Sequence, residues 1–201
     1  FTPERYKEDK QNLIEKYNEY GFRDATILED SIVQYDDKHV DVYIKVDEGQ
    51  KYYIRNINWV GNTVYNTDQL AAVLGMRKGD VYNQKLMSKR LQEDEDAVGN
   101  MYWNNGCLFY SLQPTETNIV GDSVDIEMRI QEGQQAHINR VRINGNDRVY
   151  EKVIRRELRT KPGDLFSKEA LTRTARELAA MGHFDPEQIA SDVKPDYEDG
   201  T

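Results

Sequence analysis

The stretch Lys51–Asn62, KYYIRNINWVGN, is a run of β-branched and aromatic residues closed by Gly61-Asn62, the composition of a strand that ends in a tight turn. Its ending returns as Gly145-Asn146 at the close of HINRVRINGN, 84 residues further on. Two other markers keep that offset: Glu48-Gly49 with Glu132-Gly133, and Gly79-Asp80 with Gly163-Asp164. Each Gly-Asp pair is followed by an apolar pair, Val81-Tyr82 or Leu165-Phe166. Three matches at one offset define an internal repeat, so the chain reads as a tandem of small units. A further glycine closes an aromatic-rich stretch at Gly21, Gly106 and Gly182, spaced 85 and then 76 residues apart. The shortening falls between the Gly-Asp marker and this glycine and amounts to about two helical turns.

Working outward from the opening strand, Tyr53, Ile57 and Trp59 share a pleat face on which Arg55 is the exception. Asn66 or Thr67 caps a short helix with Leu70, Val73 and Leu74 at helical spacing, and Gly75 suits its C-terminal cap. Asn83 caps a longer helix to about Asn104, with Leu86, Leu91, Val98, Met101 and Tyr102 on its apolar side. The acidic run Glu93-Asp94-Glu95-Asp96 lacks the His or loop glycine of a metal site and reads as a solvated face. Cys107–Gln113 gives a second strand and Ser123–Gln131 a third. In the third, Val124, Ile126, Met128 and Ile130 alternate with Asp125, Glu127 and Arg129, the mark of one buried and one wet face.

The flanking copies are partial. Before the full unit come a helix opening at Thr2-Pro3 and two strands, Ala25–Gln34 and Lys38–Asp47. After it come an opening strand Ile138–Asn144, helices Val149–Leu158 and Ser167–Met181, and a weak strand near Glu187–Lys194, followed by a turn-like stretch over residues 195–200. The expected organisation is a partial module at 1–50, a complete one at 51–134, and one at 135–201 without its third strand. The fold class is α+β: tandem strand-helix-helix-strand-strand modules, each a three-stranded mixed sheet with two helices on one face. Linkers of two to four residues imply a bent rod, with Tyr52, Tyr53, Gln134 and His137 at the inter-module junctions.

Composition excludes several functions. A net charge of −9 without a basic cluster argues against nucleic acid. His39, His137 and His183 fall at no metal-ligand spacing, Cys107 has no nearby His in sequence, and no phosphate loop or dinucleotide fingerprint occurs. No catalytic residue, metal or cofactor is therefore expected. No apolar run approaches the ~20 residues of a spanning helix. A chain opening at Phe1 without Met reads as an internal piece of a longer protein.

The unit order and the markers Arg55–Thr63, Arg140–Asn146 and Lys161–Phe166 resemble POTRA (polypeptide-transport-associated) domains, and Arg155-Arg156-Glu157-Leu158 is similar to a stretch of the last such domain in BamA-type outer-membrane β-barrel assembly factors. The resemblance covers nearly the whole chain and maps its copies to the third, fourth and fifth modules of a five-module arm. It implies the periplasmic part of a Gram-negative outer-membrane protein that captures unfolded outer-membrane proteins, or accessory lipoproteins, by β-augmentation and passes clients to a downstream membrane β-barrel of the same chain. The arm of a two-partner secretion or other barrel transporter, and a repeat spacer that binds nothing, remain alternatives. Main-chain pairing at a sheet edge suits a receptor for many clients. The resemblance places such edges on the second strand of each unit, with Ile27 and Ile32, then Leu108, Phe109 and Tyr110, then Ile189 and Val193 as candidate peptide-binding residues.

Overall fold

The computed structural model describes residues 2–36, 38–146 and 149–194; the turn expected at 195–200 lies outside them. Element order is α1 (Pro3–Glu19), β1 (Thr26–Gln34), β2 (Val40–Asp47), β3 (Tyr53–Val60), α2 (Thr67–Leu74), α3 (Gln84–Ser88), α4 (Val98–Asn104), β4 (Ser111–Val120), β5 (Ser123–Gln131), α5 (Glu151–Glu157) and α6 (Lys168–Ala180). Backbone proximity gathers these into two compact units. The first holds Phe1–Val60, Asn66–Asp94 and Gln113–Arg129, and the second Gly61–Tyr65, Glu95–Leu112 and Ile130–Thr201.

In the first unit β1 pairs antiparallel with β2, Ile32 opposite Val42. The three-stranded sheet has the order β3-β5-β4. β3 runs parallel to β5, and the two-residue turn Gly121-Asp122 joins β5 to β4. The alternation read from β5 holds, with Val124, Ile126, Met128 and Ile130 all at 4% exposure or less. Burial of each such side chain contributes about 1.5–3 kcal/mol. In β3 the buried residues are Ile54 and Trp59, not Tyr53 and Ile57. A register shift between Ile54 and Asn56 puts Ile54 in place of Tyr53 on the Trp59 face, because an extra residue switches the face of everything after it; Ile57 keeps the Trp59 side and is half-buried. Arg55 sits at that shift and its guanidinium takes Asp125 of β5 with two donors, Nε at 2.7 Å.

Asn66 caps α2 in a full capping box with Gln69, and Gly75 closes it in the left-handed region. Leu70 and Leu74 are buried, as are Met87 and Leu91 further along. The single helix expected over 83–104 is instead broken. α3 is capped by Asn83, passes into a π-turn at Lys89–Glu93, and gives way to extended backbone at Asp94. Aspartates are weak helix formers, and adjacent carboxylates repel along the run 93–96. Leu86, expected on the apolar side, is 43% exposed.

In the second unit α4 packs on α6, and α5 on α6 as well. Val98, Tyr102, Cys107, Ala136, Ile154 and Phe166 are buried there. Thr174 is buried too; its hydroxyl donates to the Ala170 carbonyl at 2.8 Å and accepts the Arg159 N–H at 3.0 Å. Two expected strands do not form. Residues 138–144 are irregular apart from a bridge between His137 and Leu165. Their counterpart β3 relies on β5, and no strand among the described residues pairs with 138–144. The stretch 187–194 holds only a 3-10 turn, Pro186–Gln188, and then irregular chain.

Candidate peptide-binding edge and the joints beside it

β4 is the outer strand of its sheet; no further strand lies on its open side among the described residues. Pro114 supplies no N–H, so the edge is interrupted there. Beside Pro114 and Glu116 lies a groove of about 190 Å³ whose walls include Met87, Leu91, Ile126 and Tyr82 together with the polar Gln84 and Gln92. The groove thus combines apolar side chains with main chain that has spare hydrogen-bonding capacity on its outer strand.

Tyr82 and Glu116 also belong to a joint. Gly21, with φ at +95°, turns the chain after α1, and its carbonyl accepts the Tyr52 N–H at 2.9 Å. The Tyr52 carbonyl accepts the Tyr82 N–H at 2.9 Å. The Gly-Asp marker closes the loop: the Gly79 N–H donates to the Ile54 carbonyl at 2.7 Å and the Ile54 N–H to the Asp80 carbonyl at 2.8 Å. Asp80 Oδ2 accepts the Arg77 N–H at 2.7 Å, which is why an aspartate follows the glycine. Side chains complete the joint. Arg23 pairs with Glu116, whose Oε1 accepts the Tyr82 hydroxyl at 2.6 Å. The Tyr52 hydroxyl donates to Asp24 at 2.6 Å under the Arg23 guanidinium, and Asn83 Nδ2 reaches the Glu19 carbonyl at 3.0 Å. Burial, then the Glu116 carboxylate, push the Tyr82 phenol far above its usual range.

The second unit repeats the main-chain part. Gly106, φ +80°, offers its carbonyl to the Ala136 N–H at 2.8 Å, and the Ala136 carbonyl accepts the Phe166 N–H at 3.0 Å. Ile138 exchanges bonds with Gly163 and Asp164 at 2.7 and 2.8 Å, and Asp164 Oδ2 accepts the Lys161 N–H at 2.8 Å. The side chains differ. Lys168 lies 4.4 Å over the Trp103 ring and bonds Asn100 at 2.9 Å, while Asn104 Oδ1 accepts the Glu169 N–H at 2.8 Å. This unit also contains a carboxylate pin. Glu132 accepts the Thr63 and Val64 N–H groups at 2.8 and 2.9 Å, the Thr63 hydroxyl, and the Tyr102 hydroxyl at 3.1 Å. Burial works to raise its pKa, yet those donors hold the carboxyl below its usual range.

The sequence-derived candidates fall unevenly on these features. Ile27 and Ile32 are on β1, which pairs on one side with β2. Leu108, Phe109 and Tyr110 are not on a strand: they form a tight turn in which the Leu108 N–H bonds the Gly106 carbonyl at 2.8 Å, and β4 starts only at Ser111. Phe109 packs its Cβ against Gly133, and Tyr110 stacks on Tyr102 with ring centroids 4.5 Å apart, so these half-buried residues serve packing and not an edge strand. Ile189 and Val193 lie in irregular chain. At the junctions Tyr52 is buried and Tyr53 half-buried, whereas Gln134 and His137 are exposed and the inward position is Ala136. That correction follows from the offset of 84 residues, which aligns Ala136 with Tyr52. Tyr82 carries a signal as half of the apolar pair that recurs at Leu165-Phe166, whereas Arg23, Glu116 and Lys168 have no like residue at the repeat offset and leave no mark in the sequence.

A family model described as POTRA, surface antigen variable number repeat, matches residues 1–49, 52–133 and 136–201. The chain belongs to the POTRA family. It is 26% identical over 206 residues to a putative outer membrane protein assembly factor of Treponema pallidum, covering 98% of this chain and 24% of that protein. It is also 26% identical over 191 residues to the outer membrane protein assembly factor BamA of Neisseria meningitidis, covering 94% of this chain and 24% of that one. The chain thus spans about a quarter of the length of these relatives. A crystal structure of POTRA3-5 of Haemophilus influenzae BamA superposes with a TM-score of 0.70 at 19% identity, over 96% of this chain and 74% of that one, and shares its POTRA fold.

Proposed function

We infer that this chain is a periplasmic scaffold of outer-membrane protein assembly, organised as modules 1–50, 51–134 and 135–201, which takes extended segments of unfolded outer-membrane proteins as an added strand. The open side of β4, with a groove of mixed apolar and polar lining next to it, carries the reading. Main-chain pairing asks little of client sequence, and the groove accepts one side chain of the added strand. Accessory lipoproteins and a downstream membrane β-barrel are the further partners that the assembly-factor relatives suggest.

The test is amide chemical shifts on titration with a peptide from an outer-membrane β-strand. Shifts should concentrate on Gln113–Val120 with high micromolar to millimolar affinity, since few main-chain bonds form. Neighbouring strand residues point their N–H groups to opposite sides, so one of Thr117 and Asn118 donates outward and the other to β5; proline at the outward one weakens capture, and proline at the other disrupts the sheet. A spectrum that stays still at saturating peptide overturns the reading.

A further inference from the structure

Glu116 and Tyr82 are at once walls of the groove and members of the joint at Gly21. We propose that occupancy of the β4 groove and closure of this joint are coupled, so that a strand-adding peptide tightens the joint and a tight joint raises peptide affinity. The inference rests on the strand-addition reading above and specifies how that site is regulated. Glu116 is on the open strand, and its carboxylate holds Arg23, two residues beyond Gly21, while accepting the Tyr82 hydroxyl. Tyr82 in turn gives its N–H to the Tyr52 carbonyl, and Tyr52 gives its own to Gly21. Groove and joint therefore share atoms: a peptide side chain seated against Tyr82 and Glu116 restrains the groups that hold Tyr52. Water leaves the groove at the same time, which strengthens the Arg23–Glu116 pair by lowering the local dielectric. In the second unit the same main-chain bonds are backed by Lys168, Trp103 and Asn104, none of which is on a strand, so the coupling belongs to the first joint alone.

Hydrogen exchange read by NMR on the whole 201-residue chain tests this. The probe is a peptide of about ten residues, alternating apolar and polar, of the kind that adds to sheet edges. At saturation the Tyr52 and Tyr82 amides should exchange about fivefold more slowly, with the Ala136 amide unchanged. In Glu116→Gln and Arg23→Met the peptide should still shift β4 amides but lose that protection, and bind more weakly by the same factor, because coupling is reciprocal. Peptide binding without protection at Tyr52 and Tyr82 overturns the coupling and leaves strand addition standing. Equal protection at Ala136 also overturns it, because it marks general stabilisation. Absence of any shift in β4 overturns strand addition, and the coupling with it.

Discussion

At Gly21 and at Gly106 the molecule meets the same geometric demand: the end of a helix must dock on the opening segment of the next repeat, which follows only after two intervening strands. Both joints answer with a left-handed glycine, a carbonyl that accepts the first N–H of the next repeat, and a Gly-Asp turn that grips the opening segment from behind. Beyond that they diverge. The first is fastened by an ion pair and a phenol hydroxyl reaching an open strand, the second by a cation over an indole and a helix cap. The main-chain half of a joint is fixed by geometry and so recurs, while the side-chain half is free to serve whatever lies beside it.

Replacing the hinge glycines tests how far the two are equivalent. A Cβ on Gly21 would lie 2.5 Å from Val81 Cγ1 and 3.2 Å from the Tyr52 carbonyl. On Gly106 it would meet the end of Leu165 at 2.9 Å and the Ala136 carbonyl at 3.4 Å. Gly21→Ala should therefore cost about 2–4 kcal/mol, left-handed strain plus overpacking, against about 1–3 kcal/mol for Gly106→Ala, where Leu165 can turn aside. Urea unfolding of both variants measures the order; a larger loss at Gly106 would break the argument.

The carboxylate pin should separate the two units by pH. Glu132 is held below its usual pKa by Thr63, Val64 and Tyr102, so its contribution is present above the unfolded value. It is lost as pH falls from the ordinary glutamate range through the lower, folded value. Exchange protection in the second unit should decline over that window, and Glu132→Gln should flatten the decline at the expense of stability near neutrality. Tyr102→Phe, which removes one donor from the pin, should cost about 1–2 kcal/mol. An unchanged acid transition in the Glu132→Gln variant would show that other carboxyls govern it.

Much of this architecture was legible in the chain. Strict alternation gave β5 to the residue, and Asn66, Gly75 and Asn83 act as the caps that their type and place suggest. The misses share a cause: tertiary context decided them. The β3 face was misassigned because a register shift leaves no trace in the pattern, and Leu108–Tyr110 look like strand because a ring stack needs the same residue types. Residues 138–144 have strand composition yet need a partner, and composition does not supply one. Of the joint residues Tyr82 and Phe166 carry a repeat signal, whereas Arg23, Glu116 and Lys168 do not, because the side-chain contacts differ between the two joints.

Lys168 offers a smaller effect confined to the second joint. Its ammonium sits 4.4 Å over Trp103 and also donates to Asn100. Lys168→Met keeps the stem and removes the charge, and should cost about 0.5–1 kcal/mol, the range for a partly exposed cation–π contact. A double-mutant cycle with Trp103→Leu isolates the pair, and a coupling term of zero would reduce the contact to packing.

The smallest effect expected is at Arg176 and Glu95, an ion pair of the second unit at 3.4 Å whose side chains are 73% and 95% exposed. Two long, solvated side chains gain little Coulomb energy at high dielectric, and ordering them costs conformational entropy of similar size. Salt screens what remains over about 8–10 Å. Arg176→Ala should therefore change unfolding free energy by less than about 0.5 kcal/mol, with little dependence on ionic strength. The neighbouring bond from the Glu169 N–H to Asn104 supplies the contrast, since it satisfies a donor at the first turn of α6 that has no partner within the helix. Asn104→Ala should cost more than Arg176→Ala under the same conditions. If the order were reversed, surface charge and not helix capping would fasten the second joint, and its likeness to the charged joint at Gly21 would be closer than the geometry indicates.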